Sequence, residues 1–221
     1  QYGAFLPVFR SHGTDVRREM WAFGEDGDPF YEALKSANRL RYRLISYLYS
    51  WAWKVWKEDS TMMRMLAFDF PNDEKALDIG DEYMLGGSIL VCPVTEPMYY
   101  GPHSQKLNVS RKGRMVYLPA GCDWYDFHTG EKYAGGRSVF AEAGIDRIPL
   151  FVRAGSILPM TRPLQHTGEQ AEIEFYVYPG ADAEFTLYES GDCTVRRLVW
   201  KDAEQKLLEG GRTLHAVIAA R

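Results

Sequence analysis

His12 is the residue whose type and position in the sequence best suit chemistry. It follows an apolar, extended-looking run at residues 5–9 and stands directly before Gly13. Barrel enzymes place active-site groups at strand ends, and a neutral imidazole can both donate and accept a hydrogen bond. The pattern therefore predicts a ligand-contacting histidine in a loop after a strand. An ordinary surface histidine is the alternative.

The familiar catalytic and metal-binding motifs do not occur in the sequence. It has no phosphate-binding loop, dinucleotide fingerprint, His-Glu-x-x-His or Gly-x-Ser-x-Gly motif. The five histidines are dispersed, and the three cysteines are odd in number and far apart. The acidic run at residues 25–28 lacks the later ligands of a calcium loop and is predicted to be a polar turn. The sequence therefore implies no metal ion and no organic cofactor.

A long helix is predicted to follow the His12 loop. Asp28 can cap free N–H groups, and Pro29 suits the first helical position. Apolar residues then recur at intervals of three and four over residues 34–55. This spacing predicts one amphipathic helix of up to about eight turns, with a break near Ser46 as the alternative.

Three arginines alternate along this helix at positions 39, 41 and 43. They lie partly off the apolar stripe. We predict that Arg39, Arg41 and Arg43 form a solvated or ion-paired face of the helix.

The chain changes character after Glu58. Short apolar runs alternate with Gly and Pro down to the C-terminus, which is typical of an antiparallel sandwich. The predicted strands are residues 62–70, 88–94, 115–118, 123–127, 138–141, 148–152, 173–177, 184–188 and 194–200. Boundaries are predicted near residues 84–87 and 160–168.

Composition excludes several classes of partner. The 221 residues include 26 Lys and Arg against 30 Asp and Glu, for a net charge of −4, so a nucleic-acid partner is not expected. No apolar run approaches the roughly 20 residues of a membrane span, so no membrane partner is expected either.

The sequence begins at Gln1 without a Met or a signal-like stretch, and we expect it to be part of a longer polypeptide.

Five blocks of sequence carry a family resemblance. In chain order they are residues 3–13 with 18–21, residues 62–66 with 69–71, residues 83–86 with 90–94, residues 117–130, and residues 148–159. These blocks resemble glycoside hydrolase family 31, the α-glucosidases and α-xylosidases, and they follow the family order. The last sixty residues match the family only loosely.

The resemblance implies an α+β chain. Its expected fold is the C-terminal end of a (β/α)8 barrel, with a strand plus a long helix, followed by antiparallel β-sandwich domains. The expected domains are residues 1–84 for the barrel end, residues 85–162 for a proximal β-sandwich and residues 163–221 for a truncated distal β domain.

The resemblance also implies a function for the intact protein. Family members are retaining α-glycosidases in which two aspartates flank the scissile bond, and both lie upstream of the block that opens this chain. We therefore expect part of an enzyme that hydrolyses terminal α-linked glucosyl or xylosyl residues, with the chain alone inactive. Its expected partners are an oligosaccharide or small glycoside substrate and the upstream portion of the same enzyme.

Three residues are expected to bind substrate. His12 matches the family histidine that hydrogen-bonds sugar hydroxyls in the −1 subsite. Arg10 is expected to support the pocket through an ion pair to an upstream carboxylate, with direct sugar contact as the alternative. Trp21 is expected either to line the sugar site or to pack in the core.

Two other functions fit the β-rich part of the sequence. One is a non-catalytic carbohydrate-binding module, and the other is a structural β-sandwich. Residues 1–58 distinguish them from an enzyme part, because neither module needs a barrel-type strand, a histidine loop and a long amphipathic helix.

Overall fold

In the described part of the chain, two long helices lie near the N-terminus and fifteen short strands follow them. The computed structural model describes residues 1–189 and 191–219. Ser190 and the last two residues, which fall in the predicted domain 163–221, lie outside this description. The shorter helical elements are 3-10 turns at Tyr2–Phe5, Met20–Ala22, Pro102–Ser104 and Asp202–Glu204 and the helices α3 (Leu66–Asp69) and α4 (Glu74–Leu77).

The long helix predicted from the apolar stripe is divided in two. Helix α1 (Pro29–Arg43) begins with a proline, as predicted, but the side chain of Asp28 does not cap it. The Asp28 carboxylate instead accepts a hydrogen bond from the N–H of Glu25 at 2.9 Å. Helix α2 (Ile45–Glu58) follows at once, and Leu44 between them leaves the helical conformation with ψ at 6°. The prediction of one continuous helix is thus wrong, and the alternative, a break, is observed two residues before Ser46.

The strands form four sheets in the described part of the chain. Their orders are β1-β2-β3-β8-β5-β6, β15-β10-β9, β11-β12-β13-β14 and β4-β7. All these pairings are antiparallel except that of β10 with β15, so the predicted antiparallel architecture is confirmed. The strands are β1 (Met63–Met65), β2 (Tyr83–Leu85), β3 (Ile89–Val91), β4 (Gly113–Leu118), β5 (Asp123–Asp126), β6 (Lys132–Ala134), β7 (Arg137–Glu142), β8 (Leu150–Arg153), β9 (Ser156–Met160), β10 (Glu174–Tyr178), β11 (Ala183–Glu189), β12 (Thr194–Lys201), β13 (Lys206–Glu209), β14 (Arg212–Leu214) and β15 (Val217–Ile218).

Two segments predicted to be extended differ in the structure. Residues 5–9 pair with no strand among the described residues and leave a 3-10 turn as irregular chain. Residues 62–70 form only the short strand β1 before the chain turns into α3. The helical turn keeps Leu66 and Phe70, four residues apart, on one side of the chain, and both are buried in the same core cluster.

One hydrophobic core joins the helices to the sheets. Leu44, Tyr47 and Leu48 of the helical region are buried together with residues of β2, β3 and β8 to β13. The Tyr47 hydroxyl donates to the Leu85 carbonyl at 2.7 Å and accepts from the Ser88 N–H at 3.3 Å. Residues 1–58 therefore do not form a core of their own. A second cluster packs around Trp124 between the six-stranded sheet and β4.

The domain limits at residues 84 and 162 remain predictions. Residue 84 lies inside β2, which pairs with β1 on one side and β3 on the other.

The described helices include none with the length and apolar character that crossing a bilayer requires.

Glu82 is a buried acid between the second core cluster and Arg114. Its side chain is 1% exposed, and its Oε1 accepts the Tyr117 N–H at 2.8 Å and lies 3.5 Å from the Arg114 guanidinium. The Cys92 thiol and the Asp81 carboxylate also neighbour it. Burial is the largest influence and raises the pKa of Glu82 to about 7, although Arg114 and the Tyr117 N–H oppose this rise.

This buried acid predicts that stability falls as pH rises. The unfolded chain releases the Glu82 proton near pH 4.5, whereas the folded chain holds it up to about pH 7. The contribution is therefore fully present below pH 4.5 and is lost between pH 4.5 and 7, by up to about 3 kcal/mol. Denaturant unfolding should show that the free energy of unfolding of Glu82→Gln rises relative to that of the parent as the pH increases from 4.5 to 7. Glu142→Gln, at an exposed site on β7, is the control. Parallel pH curves for parent and Glu82→Gln would contradict the prediction.

Candidate functional site

The His12 loop lies on the surface between the first 3-10 turn and the second. Residues 11–19 line a shallow depression of about 150 Å³. The Ser11 hydroxyl donates to the Arg18 carbonyl and closes the loop. Gly13 is required by close packing, because a Cβ there would lie 1.8 Å from the Val16 carbonyl oxygen.

Arg10 and His12 form a pair on this loop. The Arg10 guanidinium lies 3.0 Å from the His12 Nδ1, and both side chains are exposed. A guanidinium has donors only, so Nδ1 must accept and the imidazole hydrogen must sit on Nε2. The pair thereby presents a neutral imidazole with an Nε2–H donor. Sequence reasoning assigned Arg10 an upstream carboxylate as its partner and missed this contact.

Trp21 lies apart from the depression. It sits on the 3-10 turn Met20–Ala22, and 68% of the residue is exposed. The core role considered for Trp21 is therefore not seen in this chain. The residues lining the depression end at Glu19, so the described structure brings Arg10 and His12 together but does not add Trp21 to them.

Helix α1 holds the segment that leads into the loop. The Arg41 guanidinium donates to the carbonyls of Ala4 at 2.9 Å, Leu6 at 2.6 Å and Pro7 at 3.1 Å. It also lies over the Phe9 ring, 5.3 Å from the centroid. The prediction of a solvated or ion-paired face is wrong for Arg41, since a half-buried side chain here binds backbone carbonyls. Desolvation lowers the pKa of this guanidinium from its usual value.

A second side chain, on strand β2, also binds the segment that leads into the His12 loop. The Tyr83 hydroxyl of β2 donates to the Phe5 carbonyl at 2.9 Å. Phe5 itself is 1% exposed and belongs to the main core. The backbone before the loop is therefore tied to both a helix and a sheet.

Two family models match consecutive parts of the chain. The glycosyl hydrolase family 31 TIM-barrel domain matches residues 1–51, and the family 31 C-terminal domain matches residues 59–158. The first match contains the His12 loop and most of the helical region. The second contains the strands from β1 to most of β9.

Characterised relatives and a solved structure agree with these matches. The chain is 36% identical to an α-xylosidase of Saccharolobus solfataricus over 95% of its own length and 28% of that protein. It is 38% identical to human neutral α-glucosidase C over 79% of its length and 18% of that protein. A family 31 α-xylosidase from Xanthomonas citri superposes over the whole chain with a TM-score of 0.85 and 40% identity, covering 24% of that structure. The chain thus spans about a quarter of such enzymes or less.

Proposed function

Since this chain belongs to glycosyl hydrolase family 31, we propose that it supplies part of the sugar-binding site of a retaining α-glycosidase. Its first residues correspond to the end of the family barrel and the remainder to the C-terminal β region. In the intact enzyme the substrate is a glycoside with a terminal α-linked glucosyl or xylosyl residue. The chain contributes the His12 loop and the β domains behind it.

The Arg10–His12 pair is the observation that carries this proposal. Because Arg10 occupies Nδ1, the Nε2–H of His12 is directed to act as a donor toward a ligand oxygen. A sugar hydroxyl in the −1 subsite is such an acceptor. This hydrogen bond orients the sugar ring in the subsite for attack at the anomeric carbon, so it lowers the barrier by positioning and without transferring a proton.

Arg10 and Trp21 complete the proposed subsite. Arg10 fixes the tautomer and orientation of His12 and thereby acts on the sugar indirectly. Trp21, exposed on its 3-10 turn, offers an aromatic face for a pyranose ring. The upstream part of the enzyme supplies the opposite wall.

The nucleophile and the acid/base come from the upstream part of the enzyme. Asp15, Asp26 and Asp28 all follow His12 in the sequence, whereas the family aspartates precede the matching block. Retention requires two carboxyl groups about 5–5.5 Å apart, one to attack the anomeric carbon and one to protonate the leaving oxygen.

A xylosyl residue is the favoured substrate group. The Saccharolobus relative and the Xanthomonas structure are both α-xylosidases, and they match 95% and 100% of this chain. Identities of 36% and 40% to these two proteins support activity on α-xylosides. An α-glucoside is the alternative, because the human relative, 38% identical, is an α-glucosidase.

Stereochemistry of the product tests the proposed reaction. We expect the intact enzyme to hydrolyse p-nitrophenyl α-xyloside and to release the α-anomer of xylose first, because two inversions at one carbon restore its configuration. Proton NMR of the anomeric signals in the first minutes distinguishes it from the β-anomer. The α-glucoside assayed in parallel gives the preference. Release of the β-anomer first, or no hydrolysis of either glycoside, would refute the proposal.

A further inference from the structure

We propose that Arg41 is a positioning residue for the sugar-binding loop. It acts by holding the backbone of residues 4–7 so that Arg10 and His12 meet at the proposed subsite. This inference rests on the proposed function, because the Arg41 contacts can affect catalysis through His12 only if His12 binds substrate.

The segment before the loop has an unusual source of hydrogen bonds. Residues 4–7 accept several hydrogen bonds from one side chain of the neighbouring helix. One guanidinium supplies donors to the carbonyls of Ala4, Leu6 and Pro7. Five N–H donors in a rigid plane are what allow a single side chain to reach three acceptors.

The contact lies close in sequence to the proposed site. Pro7 is three residues before Arg10 and five before His12. Phe9, immediately before Arg10, lies against the Arg41 guanidinium, so the fixed region extends to the edge of the pair. Beyond this point the described chain holds the loop mainly through the Ser11–Arg18 bond.

The neighbouring arginines of α1 do not share this role. Arg39 lies one half-turn earlier on the helix and is exposed. Arg43 lies over the Tyr176 ring at 6.0 Å, far along the chain from the loop. Among the hydrogen bonds of the described residues, those to the carbonyls of residues 4–7 from this arginine cluster come from Arg41, so Arg39→Ala provides a control for loss of charge.

The inference is tested in the intact enzyme with p-nitrophenyl α-xyloside. Arg41→Ala should lower kcat and kcat/KM by the same factor, about 10- to 100-fold, because the donor is misplaced for the transition state. Arg41→Lys keeps the positive charge but lacks the planar set of guanidinium N–H donors, so we expect its activity to lie between those of the parent and Arg41→Ala. Arg39→Ala should leave both constants unchanged.

A double-mutant cycle separates positioning from general stability. If Arg41 acts through His12, adding Arg41→Ala to His12→Ala should change kcat/KM by less than about twofold. Equal losses in the two backgrounds would overturn the inference while leaving the proposed function intact. A His12→Ala enzyme with full activity would instead overturn the proposed function.

Hydrogen exchange gives a readout that does not depend on activity. Arg41→Ala should speed amide exchange within residues 4–13, and Arg39→Ala should not. Tyr83→Phe removes only the hydroxyl bound to Phe5 and serves as a second variant in case Arg41→Ala does not fold; it should speed exchange in the same segment. Unchanged exchange there, in every folded variant, would overturn the inference.

Discussion

Replacing His12 with alanine in the intact enzyme is expected to lower kcat/KM by about two to three orders of magnitude, or about 3–4 kcal/mol. The imidazole is held by Arg10 with its hydrogen on Nε2, so its donor is already oriented before substrate arrives. A preoriented donor holds the sugar ring in the reactive position with little loss of side-chain freedom. The loss should therefore appear in kcat as well as in kcat/KM.

A second histidine provides the control for this measurement. His103 is also exposed, but it lies on the Pro102–Ser104 turn of the β region. His103→Ala should retain the parent kcat/KM on p-nitrophenyl α-xyloside. If His12→Ala also retained it, His12 would have no part in the subsite.

The 221-residue chain by itself is expected to show no hydrolysis of aryl α-xylosides or α-glucosides. Its proposed contribution is binding and orientation, and we propose that the bond-breaking carboxyl groups lie on the upstream part of the enzyme. Without a nucleophile, the sugar-binding donor has no intermediate to stabilise. The measurement is release of p-nitrophenol over many hours by purified chain whose folding is verified by circular dichroism.

Trace activity from host glycosidases is the main source of error in that assay. The control is the same chain carrying His12→Ala and purified identically. If contaminating glycosidases cause the activity, both preparations should release p-nitrophenol at equal rates. Turnover by the parent chain at rates typical of complete family enzymes, and lost in the His12→Ala chain, would show that the chain contains its own catalytic groups.

Local patterns in the sequence predicted much of the fold. The Asp-Pro pair marks the start of α1, and most predicted strands lie within one or two residues of their observed limits. These features depend on nearest neighbours in the chain. The shortest strands, such as β6 and β13 to β15, were not predicted because two to four residues carry too little alternation to distinguish them from a loop.

The supports of the site were not predictable in the same way. Arg41 shares its alternating pattern with two neighbours, and only the folded chain brings it to the carbonyls of residues 4–7. The Tyr83 hydroxyl reaches Phe5 across 78 positions of sequence. Likewise, nothing in the sequence indicates the contact between Arg10 and His12, two residues apart; the ion pair of Arg10 to an upstream carboxylate stays a prediction. Hydrogen bonds from side chains to irregular backbone produce no repeating pattern in the sequence, so pattern analysis does not detect them.

The joint between α2 and the β region limits how these enzymes can be recombined. Ser50, buried in the middle of α2, accepts the N–H of Tyr188 in β11 at 3.0 Å, while Tyr47 bonds both Leu85 and Ser88. A chimaera that takes its β region from another family member must therefore inherit α2 with it. Because Arg41 of α1 and Tyr83 of β2 both bind carbonyls of the segment before the His12 loop, a crossover between that segment and β2 separates bonded partners. The His12 loop and the β region are therefore best exchanged as one piece.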